Sequence, residues 1–261
     1  MYKESFHNHT TRCGHAKGTE REYVEEAITK GMTKFGFADH SPQVFDNGYV
    51  SGIRMKPEQL ADYCNVLTAL KEEFKDKIEL HIGLEFEYYP RHFADSMRLI
   101  RDSAVEYLIM GQHYVRNEHD GFQVSGPDQG PDLLKLYVDQ VLEGVETGVY
   151  CCIAHPDMFR YTGEPEAYEK EIRRLCEGCL KHNVALEINL QGLREKRHYP
   201  HAPFWEIVGK MGNTVVFGGD AHQPWNVCDD KTYLEALEWV KKYHLNFKEA
   251  SCILEGGHLL K

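Results

Sequence analysis

The segment Ile78–Pro90, IELHIGLEFEYYP, holds a short apolar run, Ile78–Leu84, that ends on a carboxylate, Glu85. A run of that length, rich in branched side chains and followed by Pro90, reads as a buried strand. Six other stretches repeat the arrangement: Glu4–His7, Lys34–Ala38, Tyr107–Gly111, Val149–Ala154, Val184–Ile188 and Thr214–Gly218. Helical patterns fill the intervals. Thr19-Glu20-Arg21-Glu22 reads as a capping box opening a helix to about Lys30, with Gly31 as its stop. Pro57 opens another, which puts Leu60, Leu67, Leu70 and Phe74 on one face. Similar patterns occupy roughly 91–104, 131–147, 164–182, 203–211 and 230–243. Seven strand-then-helix units predict an α/β barrel one unit short of the usual eight. No repeat or linker divides the chain, so residues 1–261 are expected to form a single domain.

Six of the seven strands end on a group able to bind metal. Strand one ends at His7, strand two at Asp39-His40, strand three at Glu85, strand four near His113, strand five at His155 and strand seven at Asp220. In parallel α/β folds the reacting groups gather at the C-terminal ends of the strands. These side chains are therefore expected to meet at one mouth of the barrel. His7-Asn8-His9 adds a second imidazole two residues on, Gly14 allows His15 to fold back over the same place, and His222 follows Asp220. Imidazole and carboxylate without thiolate suit zinc, manganese or iron. Asp39 is expected to orient an imidazole rather than to ligate. Glu87, on the same side of a regular strand as Glu85, is expected to stand behind it or at the surface.

Composition removes several classes of function. The 261 residues carry 30 Lys and Arg against 41 Asp and Glu, a net charge of -11, which disfavours nucleic acid and anionic membranes. The mean hydropathy is -0.53, and no apolar run approaches the 18 or so residues of a membrane span. The N-terminal MYKESFHNHTTRCGH lacks the apolar core of a signal peptide, so a cytoplasmic location is expected. Eight scattered cysteines, at 13, 64, 151, 152, 176, 179, 228 and 252, agree with it. Cys176 and Cys179 form a CxxC inside a helical pattern and read as ordinary thiols. Of the two tryptophans weighed, Trp239 is expected in the core, and Trp225 is left between core and interface.

The pieces HNHTTRCGH, FADHSP, GLEFEYYP, MGQH, IAHPD, EINLQGLR and GGDAH, spread over residues 7 to 222, resemble in order and spacing the polymerase-and-histidinol-phosphatase (PHP) family. The resemblance implies a distorted (β/α)7 TIM-like barrel with three divalent metal ions (Zn, Mn or Fe). It implies nine ligands: His7, His9, His15, His40, Glu85, His113, His155, Asp220 and His222. The family pattern gives His7, His9, Glu85 and Asp220 to one metal. Glu85 then bridges to a second held by His113 and His155, and His15, His40 and His222 hold the third. Catalysis is placed on Glu85, Asp220 and His222, with a metal-bridging hydroxide as attacking group. Eight histidines are left over (81, 92, 119, 182, 198, 201, 244 and 258) as surface or supporting residues.

Arg160, in HPDMFR, and Arg194 and Arg197, in EINLQGLREKR, are the expected phosphate contacts, because a guanidinium fork matches two oxygens at once. His198 is a weaker candidate for protonating the leaving alkoxide. Further features, including SGIRMKPEQL and the YP that follows GLR, resemble the family's stand-alone phosphatases of histidine biosynthesis and imply L-histidinol phosphate as the small-molecule substrate. Leu190-Gln191 departs from the threonine-serine pair common at that place. Asp46, Glu118 and Asp157 are the acidic groups available for the imidazole and ammonium of such a substrate. Competing readings are a protein-tyrosine phosphatase, a nucleotide or oligonucleotide phosphoesterase, and a non-enzymatic metal-binding subunit. The second calls for a basic groove that the sequence does not show, and the third for degenerate ligand positions.

Overall fold

A computed structural model describes residues 2–127, 129–227 and 229–255. Its elements run β1 (Glu4–Ser5), α1 (Glu20–Thr29), β2 (Lys34–His40), α2 (Leu60–Glu73), β3 (Glu79–Glu85), α3 (Phe93–Arg101), β4 (Tyr107–Met110), β5 (Tyr114–Val115), β6 (Phe122–Gln123) and α4 (Pro131–Glu146). They continue with β7 (Tyr150–Ile153), α5 (Pro165–His182), β8 (Ala185–Asn189), α6 (Leu190–Arg194), α7 (Ala202–Met211), β9 (Thr214–Gly218), α8 (Asp230–Tyr243) and β10 (Asn246–Phe247). Eight strands form one parallel sheet in the order β1-β2-β3-β4-β7-β8-β9-β10, and β5 and β6 make a separate antiparallel hairpin. The sheet curls until its first and seventh strands meet. Asn8 bridges Ala221, and the Asp220 amide donates to His7 O at 2.7 Å. The result is a TIM-like barrel whose seven expected strands are all present.

Local chemistry explains the helix ends. The Thr19 hydroxyl accepts from Glu22 N while the Glu22 carboxylate accepts from Thr19 N, the reciprocal capping box read from the sequence. Gly31 follows that helix at φ 73°, a left-handed conformation that glycine adopts without a Cβ clash. The helix expected from Pro57 begins instead as a 3-10 turn, Pro57–Gln59, that runs into α2 at Leu60. The eighth strand was not expected. It pairs with β9, and the short 3-10 segment Ala250–Leu254 after it caps the bottom of the barrel.

Two apolar layers hold the barrel. The outer one packs helices on the sheet, and it includes the fully buried Cys176 and Cys179 in α5. The described cysteines form no disulfide, and Cys228 lies outside the described residues. Trp239 packs against this layer, while Trp225 is exposed. The inner layer fills the barrel with Phe6, Ala38, Tyr107, Ile109, Cys152 and Val216, closed below by Ala250 and Ile253. Tyr107 spans the interior, and its hydroxyl donates to Phe6 O at 2.7 Å and Phe37 O at 3.1 Å. Gly83 makes that possible, since a Cβ there would occupy the tyrosine ring. Tyr107→Phe is expected to cost about 1–2 kcal/mol, because buried carbonyls lose their donor. The check is a lower urea midpoint at unchanged slope; an unchanged midpoint contradicts it. Among the described residues no helix is long and apolar enough to cross a membrane.

Candidate metal centre

Parallel register brings the strand ends level. His40 of β2 pairs with Glu85 of β3, and Glu85 pairs with Ile109 of β4, so their C-terminal ends share one rim. After β1 the chain bends so that Asn8 turns outward to Gly36 O at 2.8 Å, and His7 and His9 both face inward. A 3-10 turn, Thr11–Cys13, ends on Gly14 at φ 84° and sends His15 back over the mouth. His155 and Asp220 also lie in the left-handed region, at φ 33° and 45°. A side chain with a Cβ is held there only by surrounding structure, and such positions cluster at functional sites.

All nine candidate ligands meet at this mouth. His7 Nε2 and His9 Nε2 are 3.2 Å apart and lie 3.6 and 3.0 Å from Asp220 Oδ1. Glu85 Oε2 stands 3.7 Å from each of these nitrogens. Its other oxygen lies 2.9 Å from His155 Nε2 and 3.7 Å from His113 Nε2. His15 Nε2 and His222 Nε2 are 3.0 Å apart, and the His222 ring stacks on His9 at 4.0 Å. His40 sits nearer the middle than the expected grouping implies. Its Nδ1 is 2.8 Å from Glu85 Oε2, and its ligand atom falls within 4.8 Å of those of His9 and His222.

The partners behind these imidazoles fix which nitrogen faces the centre. Glu187 takes His7 Nδ1 at 2.9 Å, Asp39 takes His9 Nδ1 at 3.3 Å, Glu87 takes His113 Nδ1 at 2.9 Å, and the Cys13 carbonyl takes His15 Nδ1 at 3.0 Å. Each such bond turns Nε2 inward, the atom a metal-ligating histidine offers. Asp39 stands behind His9, as expected of a group that orients an imidazole, and Glu87 is buried, not on the surface. Glu187 and Asn189 went unread in the sequence. Asn189 Nδ2 donates to Glu187 Oε1 and to Asp220 Oδ2, both at 2.9 Å. Their signal is the carboxylate and carboxamide at alternate positions of an otherwise apolar strand, since such groups are rarely buried without a partner.

Steric room and electrostatics tie the arrangement together. A Cβ at Gly111 would fall on the Glu85 carboxylate, and one at Gly218 on that of Glu187. Burial opposes charge on Glu85 and Asp220, yet the surrounding histidines hold both far below the usual carboxylate range. Burial and His9 push His222 down to about 2, and burial pushes His40 down to about 4, so both rings are neutral lone-pair donors. His7 behaves oppositely. Burial disfavours its charge, but Glu187, Asp220 and Glu85 outweigh that and raise it to about 10. At neutral pH it holds a proton that an entering cation must displace. Metal uptake is therefore expected to release protons and to weaken as pH falls below about 10. Calorimetry in two buffers of different protonation enthalpy checks this, and a buffer-independent heat contradicts it.

The donor set fits divalent cations on a direct test. Among the described residues Glu85 Oε2 and Asp220 Oδ1 are buried and have no hydrogen-bond partner of good geometry, although imidazole nitrogens stand 2.8 and 3.0 Å away. Buried carboxylate oxygens left so are costly unless a cation faces them.

The centre floors a cleft of about 690 Å³, walled by Gly52 and Ile53 on one side, Gln123 and Ser125 of the unexpected hairpin on another, and Arg197, His198 and Tyr199 opposite. Arg197 binds Glu195 at 2.7 Å and Tyr199 Oη at 2.8 Å. Arg194 ends the five-residue α6. Among the described residues none of its guanidinium nitrogens has a hydrogen-bond partner, and burial lowers its pKa despite nearby Asp220. Arg160 is exposed and does not line the cleft. Gln191, at the departure from the family pattern, reaches His222 Nδ1 at 3.3 Å. His198 spends Nε2–H on Met158 O at 2.7 Å, leaving a neutral ring only an acceptor. The three acidic groups set aside for a cationic substrate all have protein partners, although Asp157 uses only Oδ2 and its Oδ1 has none among the described residues. Asp46 binds Arg91, Glu118 binds Arg54, and Asp157 takes His201 N and Trp205 Nε1. Of the remaining histidines, His81 pairs with Glu79 and Glu106, and His258 lies outside the described residues.

Residues 5–191 match the family model described as PHP domain. A protein of Deinococcus radiodurans named "Probable histidinol-phosphatase" is 29% identical over 227 residues, which cover 85% of this chain and 86% of that one. The histidinol-phosphatase of Bacillus subtilis strain 168 is 30% identical over 260 residues, covering 87% and 96%. A solved structure of histidinol phosphate phosphatase from Lactococcus lactis subsp. lactis Il1403, complexed with zinc, L-histidinol and phosphate, superposes with a TM-score of 0.73 over 95% of each chain. At 22% identity that likeness is one of fold.

Proposed function

Because this chain belongs to the PHP domain family, we propose that it is a metal-dependent phosphomonoesterase that hydrolyses L-histidinol phosphate to L-histidinol and phosphate. The observation that carries the reading is the pair of buried carboxylates, Glu85 and Asp220, whose Oε2 and Oδ1 have no well-formed hydrogen bond among the described residues within a ring of seven inward-facing imidazoles. These side chains form a divalent-metal centre. We assign three ions to it, of zinc, manganese or iron. His7, His9, Glu85 and Asp220 hold the first, Glu85 with His113 and His155 the second, and His15, His40 and His222 the third. Bound there, divalent ions neutralise phosphate oxygens and make water nucleophilic near neutral pH.

The chain's own residues do the rest. Glu85 presents one oxygen to each half of the centre, and Asp220 and His222 close the opposite side. Arg197 stands on the cleft wall as the phosphate contact, and the guanidinium of Arg194, without a hydrogen-bond partner among the described residues, adds positive charge that acts on Asp220. Arg160 can join only if its exposed side chain swings in. A centre of cations within the acidic protein explains how a chain of charge -11 receives a phosphate monoester. A cytoplasmic setting and one catalytic domain over the whole chain complete the reading.

The experiment is kcat/KM for phosphate release from L-histidinol phosphate, with phosphotyrosine as comparator. About 10⁴ M⁻¹s⁻¹ or more, well above the comparator, is expected. Equal slow turnover of both would keep the hydrolytic centre and reject the substrate.

A further inference from the structure

Chemistry outside the nine ligands concentrates on Arg54, in the segment SGIRMKPEQL. Its side chain is 3% exposed and lies between two carboxylates, Glu87 at 1% and Glu118 at 4%. Nε and Nη2 reach Glu118 Oε2 at 2.8 and 2.7 Å, Nη2 also binds Glu87 Oε2, and Nη1 donates to Ser41 O at 3.4 Å. Each carboxylate then uses its second oxygen elsewhere. Glu87 Oε1 accepts from His113 N at 2.8 Å and His113 Nδ1 at 2.9 Å. Glu118 Oε1 accepts from Ser51 Oγ at 2.6 Å and Tyr49 Oη at 3.0 Å. Tyr89 Oη adds a further bond to Glu87 Oε2 at 2.5 Å.

These contacts form one continuous chain from the cleft wall to the centre. Tyr49 and Ser51 lead directly into Gly52 and Ile53, which line the cleft. Glu118 follows β5, Arg54 stands between, and Glu87 ends on a ring at the mouth. We propose that Arg54 is a positioning residue that couples the cleft wall at 49–53 to the orientation of His113. The inference rests on His113 being a metal ligand. A buried carboxylate behind an imidazole fixes its tautomer and angle only if its own charge is compensated and its rotamer held. The guanidinium meets both needs and leaves enough N–H groups to grip the second carboxylate. Lysine, a point charge without the planar fork, can serve only one of them well.

The test compares wild type with Arg54→Met, Arg54→Lys, Glu118→Gln and His113→Ala. The readouts are metal retained per chain after dialysis against graded chelator, separate kcat and KM for phosphate release, and thermal midpoint. Arg54→Met is expected to weaken retention by roughly 10- to 100-fold for the same ion that His113→Ala loses. Arg54→Lys is expected to recover only part of it. Glu118→Gln, which cuts the wall end of the chain, is expected to raise KM several-fold and to weaken retention of the His113 ion less than Arg54→Met does. Wild-type retention by the folded Arg54 variants, or an unchanged KM in Glu118→Gln, would overturn the proposal and leave Arg54 a residue of stability only. If Arg54→Met does not fold, Arg54→Lys and Glu118→Gln decide. Full metal content in His113→Ala would instead remove the ligand assignment itself, a distinct failure.

Discussion

Glu85→Gln is expected to lower kcat/KM by roughly 10³-fold or more, with metal lost from the centre and the fold kept. Glu85 places one oxygen 2.9 Å from His155 Nε2 and the other 3.7 Å from both His7 and His9, so it joins two halves of the site. An amide offers one neutral oxygen and a donor nitrogen, and it cannot supply both halves. A metal centre is worth several kcal/mol of transition-state stabilisation, and each 1.36 kcal/mol is a factor of ten. Excess metal should not restore the variant, because the bridging position itself is gone. Metal analysis and phosphate-release kinetics measure this. Near-normal kinetics would show that Glu85 does not ligate.

Glu187→Ala is the second large effect, and it has a different signature. Glu187 touches no candidate metal position directly. Its carboxylate holds His7 Nδ1 at 2.9 Å, the His155 amide at 3.4 Å and Asn189 Nδ2 at 2.9 Å, and Asn189 in turn holds Asp220. Three parts of the centre thus lean on one side chain. Loss of such a partner typically weakens metal affinity about 10- to 100-fold. Activity is expected to fall with occupancy and to return when metal is added in excess, which separates Glu187 from Glu85. A variant that binds metal as tightly as wild type would contradict the role.

The sequence could show what depends on local pattern. The seven main strands are apolar runs, and parallel pairing then fixes their ends at one rim, so the convergence of the strand-end His, Asp and Glu side chains was legible before any coordinates, while the full set of nine candidate ligands came from the resemblance to the PHP family. The capping box at Thr19 was legible for the same local reason. Elements decided by tertiary contact were not. A helix of five residues such as α6 is too short to stand alone, and it forms here with Asn189 as its cap, whose side chain accepts from Gly192 N. The hairpin of β5 and β6 has two residues per strand and no alternation to read. Glu187 looked like one polar residue in a strand. Its meaning comes from His7, 180 positions away. Arg54, Glu87 and Glu118 became a unit only when folding brought residues 54, 87 and 118 together. The arginines are the intermediate case. Proximity to the motifs pointed to three, and the structure puts Arg197 on the cleft wall, with Arg194 half-buried and Arg160 exposed, neither of them lining the cleft.

The most direct test of the central claim is anomalous diffraction from crystals of the purified protein, collected at the zinc, iron and manganese edges. The account predicts three peaks within the ring of imidazoles, with Glu85 between two of them. A map without peaks there, from protein that still hydrolyses L-histidinol phosphate, would contradict it.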